Sequence, residues 1–129
     1  MKILYLKETL FEATLYANEE CFKISSVQGE LNKLATKYLF SIASYKSCVK
    51  KKLPLKNKIP IYFSNQLLFF YLKTNEEKYY LNYFEIFKIC CEEKVIIIFK
   101  NGHKIELDIS KKIILNEIKK VKLLLNYIN

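Results

Sequence analysis

The sequence predicts an α+β fold: an antiparallel β-sheet meander with a central helix and a C-terminal helix. Three observations carry this. Short apolar and aromatic runs with two-residue alternation, separated by polar turns, fill most of the chain, as expected of strands joined by hairpins. The apolar period lengthens to three and four residues in two places, once near the middle and once at the end. Asn101-Gly102 stands between two apolar runs, and Asn-Gly is the strongest short-range hairpin signal.

Taken in order, Ile3 to Leu6 and Leu10 to Ala17 read as strands. In the second, Phe11, Ala13 and Leu15 alternate with Glu12, Thr14 and Tyr16. Asn18-Glu19-Glu20 is a turn and Cys21 to Ser25 a third strand. Ser26 is an N-cap candidate, and a helix is expected from Glu30 to about Lys51. Its inner face is Leu31, Leu34, Ala35, Tyr38, Ile42, Tyr45 and Val49, with a break possible at Ser41 to Ser44, because serines compete for backbone hydrogen bonds. Pro54 turns Leu53 away from helix. Ile59 to Phe63 is a strand whose Pro60 marks an edge or a start. Leu67 to Lys73 is apolar enough to be central. Tyr79 to Cys91 is a long aromatic strand, and Val95 to Lys100 and His103 to Ile109 flank a two-residue type I′ turn at Asn101-Gly102. Ser110 caps the last helix, whose buried stripe is Ile114, Ile118, Val121, Leu125 and Ile128.

At 129 residues the chain is expected to form one domain over 1–129, large enough to bury a core without disulfides or metal. One histidine, one aspartate and two glycines make a poor kit for acid–base or nucleophilic catalysis, and no phosphate-cradling glycine motif is present. An enzyme is not expected, nor a cofactor. Cys21, Cys48, Cys90 and Cys91 lack metal-site spacing and read as free thiols of a reducing compartment. Met1 to Glu8 is too quickly charged for a signal peptide, and the longest apolar run, Leu67 to Leu72, is far shorter than a membrane span. A cytoplasmic protein without membrane contact is expected.

The charge distribution points to a function. All 22 cationic residues are lysine, against 13 acids, a net of +9. Leu31 to Asn75 carries nine of those lysines and no acid, so the remainder of the chain is neutral. A one-sign field of this kind recruits polyanions. Its densest part is Lys46, Lys50, Lys51, Lys52, Lys56 and Lys58, with Lys33 and Lys37 upstream as secondary contacts. Lys111 and Lys112 form a smaller cluster in the first turn of the last helix, where the dipole disfavours cations. Without arginine there is no bidentate reading of guanine, which leaves backbone and shape recognition. Phe40, set among the lysines, is either a wedge into nucleic acid or a buried anchor; the second is the commoner use of an aromatic. Tyr62, Tyr71, Tyr79, Tyr80 and Tyr83 are candidates for a stacking platform or, more simply, for the core.

Several segments together resemble one family. Ile59-Pro60-Ile61, Ser64-Asn65-Gln66 and Leu67-Leu68-Phe69-Phe70 follow one another as a Pro-Ile strand, a Ser-Asn turn and an apolar strand; Tyr80-Leu81-Asn82 follows, and Phe99-Lys100-Asn101-Gly102 runs through Ile109 into the capping Ser110. Upstream, Phe40 to Lys46 places Ser44-Tyr45 where a Ser–aromatic pair recurs. In order and spacing these resemble the ComK family of bacterial competence transcription factors, over about Leu31 to the last helix. The family's Gly-Arg falls on Ser47-Cys48 here, basic charge returning only at Lys50 to Lys52, and Phe-Pro-Thr is replaced by Phe70-Tyr71-Leu72-Lys73-Thr74. The resemblance does not reach the C-terminal tail that longer members use for adaptor- and protease-linked turnover, so that regulation is not expected to carry over. The resemblance implies an oligomeric activator of competence genes that binds double-stranded AT-rich DNA, largely through the minor groove. It adds Ser44 and Tyr45 to the expected DNA contacts and makes RNA polymerase and a second copy of the chain the expected protein partners. Two other readings stay open: a protein-interaction module that has lost DNA binding, and an RNA or single-strand binder.

Overall fold

The structure, a computed structural model, describes residues 2–129. Nine strands and three α-helices follow in the order β1 (Ile3–Glu8), β2 (Ala13–Ala17), β3 (Glu20–Ile24), α1 (Val27–Lys37), α2 (Ile42–Lys52), β4 (Ile61–Ser64), β5 (Leu67–Lys73), β6 (Lys78–Asn82), a 3-10 turn (Tyr83–Glu85), β7 (Ile86–Cys91), β8 (Val95–Phe99), β9 (Lys104–Leu107) and α3 (Lys111–Ile128). The fold class is the expected α+β, with antiparallel strands, helices at the middle of the chain and a C-terminal helix. The strands form two antiparallel sheets, one of six in the order β3-β2-β1-β6-β5-β4 and one of three in the order β7-β8-β9. The meander is therefore interrupted: β1 pairs with β6, Tyr5 lying opposite Leu81.

The six-stranded sheet is covered on both faces. On one, Leu6, Leu15, Phe63, Leu67 and Phe69 pack with Val27, Leu31, Leu34, Ala35 and Ile42 of α1 and α2. On the other, Leu4, Leu68, Phe70, Leu72 and Leu81 meet Ile97, Phe99 and Leu107 of the smaller sheet and Ile114, Val121 and Leu124 of α3. Double coverage explains the unbroken apolar run of β5, whose alternate side chains enter different cores. Pro60 directly precedes β4, which is an edge strand, as its missing N–H requires.

Four expectations need correction. The helix expected from Glu30 to Lys51 is two helices. Tyr38 ends α1; Leu39 N–H then bonds Thr36 O at 3.0 Å and Phe40 N–H bonds Ala35 O at 3.0 Å, a Schellman motif with Leu39 at φ 66°. Leucine here costs about 1 kcal/mol relative to the glycine this conformation favours. Ser41, at the near end of the break allowed from Ser41 to Ser44, restarts the chain as the N-cap of α2 by accepting from Ser44 N–H.

The strand expected over Tyr79 to Cys91 breaks at Asn82. This residue is buried and works in four directions. Its Oδ1 accepts from Leu68 N–H (3.2 Å) and Phe84 N–H (3.3 Å), and its Nδ2 donates to Ile3 O (2.8 Å) and Gln66 O (3.1 Å). It closes one sheet and caps the turn that leads to the other.

The Asn101-Gly102 turn is not type I′, because only Gly102 has positive φ (92°) and Asn101 does not. The loop has three residues, Lys100 to Gly102, between Phe99 and His103. Gly102 N–H bonds Phe99 O at 2.9 Å and Phe99 N–H bonds His103 O at 2.8 Å, the type I turn plus glycine bulge. The extra residue frees Lys100 N–H for Glu85 O (2.9 Å) and lets Asn101 Nδ2 donate to Asn18 O. His103 Nε2 meets Tyr5 Oη at 2.9 Å, and its ring stacks on Tyr5 and Tyr16. The hairpin tip thus pins the small sheet to the large one.

Finally, two apolar stripes are displaced. Phe11 is 92% exposed in the turn before β2, beside Leu10 at 88%, instead of facing the core. In α3 the buried set is Ile114, Glu117, Val121 and Leu124; Ile118 and Leu125 are half-buried and Ile128 is exposed.

Candidate nucleic-acid interface

The lysines singled out from the sequence fall on α1, α2 and the loop that follows. Lys33 and Lys37 are exposed on α1. Lys50, Lys51 and Lys52 are exposed in the last turn of α2, where the negative end of the helix dipole favours cations. Ser44 is exposed in the first turn of α2 and Lys46 is half-buried. Lys56 and Lys58 are exposed in the loop to β4. Among the described residues the ion pairs are Lys7–Glu77, Lys94–Glu106 and Lys120–Glu117, and none involves a lysine of this group. Their charge is uncompensated locally, and solvent or a ligand must meet it.

The loop carrying Lys56 and Lys58 is anchored at several points. Leu55 and Ile59 are buried in the core. Lys120 of α3 donates to Asn57 O at 3.2 Å and is itself paired with Glu117 at 3.2 Å. Glu117 is 4% exposed, and its carboxylate also accepts from Asn116. Lys58 takes φ 48°, and its Nζ lies 5.8 Å from the Tyr71 ring centroid. The loop is therefore ordered by α3 and by β5, and its lysines project from a fixed backbone.

Tyr45 sits inside this scaffold. Its hydroxyl donates to Pro60 O (2.8 Å) and accepts from Tyr62 N–H (3.1 Å), and burial pushes its phenol up to about 12. Both hydrogen-bonding directions are in use, tying α2 to the entry of β4. Phe40 takes the anchor role, packing on Phe63 at 5.4 Å and Tyr45 at 5.7 Å. Lys111 and Lys112 are exposed in the first turn of α3, about 13 Å along the helix axis from Lys120.

Other chemistries find little support. Tyr79 is buried and Tyr62, Tyr71, Tyr80 and Tyr83 are half-buried, so no open stacking face is formed by them. Among the described residues no cluster of three or more His, Cys, Asp or Glu could hold a metal, and the four thiols are free. The open depression between the β1–β2 and β5–β6 turns sets Glu8, Glu12, Glu76 and Glu77 against Lys73 and Lys78, a net negative lining that does not suit a polyanion. No described helix is long and apolar enough to cross a membrane.

Two residues of the scaffold escaped the sequence reading, Glu117 and Lys120. The signal for Glu117 was present: it lies three residues after Ile114 and four before Val121, inside the buried stripe, where an acid needs a partner.

A family model described as ComK protein matches residues 12–129. The chain belongs to the ComK family. ComK proteins are transcription factors and not enzymes, and the family is associated with DNA binding. The match runs from the turn before β2 to the end of α3 and so includes α1, α2 and the lysine loop. No curated protein and no solved structure matches the chain.

Proposed function

We propose that this ComK family member regulates transcription by holding double-stranded AT-rich DNA on the surface formed by α1, α2 and the loop from Leu53 to Pro60, and that it activates competence genes. The observation that carries the reading is the exposure, on an ordered scaffold, of Lys50, Lys51, Lys52, Lys56 and Lys58 with no acid in ion-pair contact. Lys46, Lys33, Lys37 and Ser44 extend this surface, and Lys111 and Lys112 serve as an outlying contact. Tyr45 acts by fixing the scaffold. The protein works as a single domain in the cytoplasm, as an oligomer, with RNA polymerase as the partner that activation requires. A lysine-only surface suits recognition through phosphates and groove shape.

The test is a salt titration on AT-rich duplex, GC-rich duplex and single strand. Five exposed lysines neutralising five phosphates give a log–log slope of about −4.5, a loss of roughly 500-fold in affinity between 50 and 200 mM salt. Lys50→Gln, Lys51→Gln and Lys52→Gln together should flatten the slope to about −1.8, a loss of roughly 12-fold over the same range. A slope near zero for the parent protein refutes the reading. A second reading, a protein-interaction module on the same fold, is favoured by the exposed Leu10 and Phe11 beside Glu8 and Glu12. It predicts a protein partner retained through nuclease treatment and high salt.

A further inference from the structure

Among the described residues three that are not glycine have positive φ: Asn18 (56°), Leu39 (66°) and Lys58 (48°). Asparagine adopts this conformation readily, whereas leucine and lysine do not. Both unfavourable cases lie inside the acid-free stretch from Leu31 to Asn75. Lys58 has a compensating contact with the Tyr71 ring. Leu39 has none from burial, being 93% exposed. The backbone strain at Leu39 is therefore not offset by packing, and glycine would satisfy the turn better. A residue that breaks a local rule without a gain in the fold is a candidate for function.

The geometry makes Leu39 a rigid apolar point. Its N–H is held by Thr36 O, and the next N–H by Ala35 O. Tyr38 and Phe40, on either side, pack on Phe63 at 5.7 and 5.4 Å, so the backbone is fixed before and after it. Lys37 is two residues away, Lys33 one helical turn further back, and α2 begins three residues on and ends in Lys50 to Lys52. Phe40 is turned inward and Tyr38, 39% exposed, packs on Phe63, which leaves Leu39, 93% exposed, as the most exposed apolar side chain of a turn that follows Lys37 and leads into α2.

We propose that Leu39 is a wedge that enters a base-pair step of the bound duplex and kinks it; this rests on the duplex binding proposed above. Apolar side chains on cationic surfaces unstack and bend DNA in this way, and pyrimidine–purine steps yield most easily. With α2 laid along the duplex axis, its length of about 16 Å puts the wedged step about five base pairs from the phosphates held by Lys50 to Lys52. The surface would then select its site partly by where a deformable TA step falls, at a position it reads without a hydrogen bond.

Leu39→Gly tests this without endangering the fold, since glycine relieves the turn and should raise the urea midpoint of unfolding. Bending is read by energy transfer between the ends of a labelled AT-rich duplex of about 30 base pairs, alongside the salt slope. The parent protein is expected to shorten the end-to-end distance and to prefer a TA over an AA step by about fivefold or more. In Leu39→Gly both effects should vanish while the salt slope stays within one unit, and Leu39→Phe should keep the bend. A duplex that the parent leaves straight, or an equal bend in Leu39→Gly, overturns the wedge while the duplex reading stands. Absence of salt-dependent duplex binding by the parent overturns both.

Discussion

Replacing Asn82 with alanine probes the junction on which both sheets depend. The side chain is 1% exposed and makes four hydrogen bonds to the main chain. Two are fully buried, from Leu68 N–H and to Ile3 O, and truncation leaves these groups unpartnered away from water. Each such orphan costs about 1–3 kcal/mol, and the two partly buried bonds add about 0.5–1.5 kcal/mol each when lost. Allowing for relaxation, the expected destabilisation is about 3–6 kcal/mol, a large share of the roughly 5–15 kcal/mol available to a domain. With a urea dependence near 2 kcal/mol/M, a loss of 4 kcal/mol moves the midpoint down by about 2 M. Unfolding should be followed by far-UV circular dichroism and by tyrosine emission, the chain having no tryptophan. The slope should remain that of the parent, because the same surface is exposed when both sheets open together. Asn82→Asp keeps the acceptor but removes both donated bonds and buries a charge, so it should be no milder. A loss below about 1 kcal/mol for Asn82→Ala with an unchanged slope would refute the claim that this side chain closes the junction. Two separate transitions would refute the claim that the sheets unfold as one.

Tyr45→Phe removes the hydroxyl that bridges Pro60 and Tyr62, and should cost about 1–3 kcal/mol in urea unfolding while weakening duplex affinity and leaving the salt slope unchanged, since no charge is lost. Alkaline pH should unfold the protein through its buried phenols. Burial holds Tyr45 and Tyr79 up to about 12 and raises Tyr5 further, with neighbouring Tyr16 and Tyr79 adding to the shift at Tyr5. A phenol whose folded pKa lies above its unfolded value near 10 stabilises the fold below pH 10, and that stability drains away as pH rises from about 10 towards 12. Absorbance at 295 nm and circular dichroism should therefore change together in that window for these three groups; full ionisation with the fold intact would contradict their burial.

What was legible in the sequence was whatever a local period or a local cap encodes. Ser26 and Ser110 cap helices, Pro60 marks the edge strand, and β5 reads as central from its run of six apolar residues. The break after Tyr38 was harder, since the residue in the left-handed position is leucine and the usual glycine signal is missing. Asn82 was invisible for a different reason: its role is to bind Ile3, 79 residues away, and no window contains both. The same holds for His103 and Tyr5. At the candidate interface the lysines were legible as charge, but their fixed placement was not. For Lys56 and Lys58 it rests in part on Glu117 and Lys120 in α3, more than 50 residues after the loop they hold.

The pairing of β1 with β6 has a consequence during synthesis. β1 can form its hairpin with β2 as soon as both have left the ribosome, but its opposite edge waits for Lys78 to Leu81. At roughly 5–20 residues per second that wait lasts about 4–15 s. Through that interval the nascent chain carries an open strand edge bearing Ile3, Leu4, Tyr5 and Leu6, all of them buried in the finished protein. A polysome crowded with such chains presents many identical unpaired edges at once. The hazard ends when the β5–β6 hairpin emerges, so the speed of translation between Glu8 and Asn82 sets how long each chain can pair with the wrong neighbour.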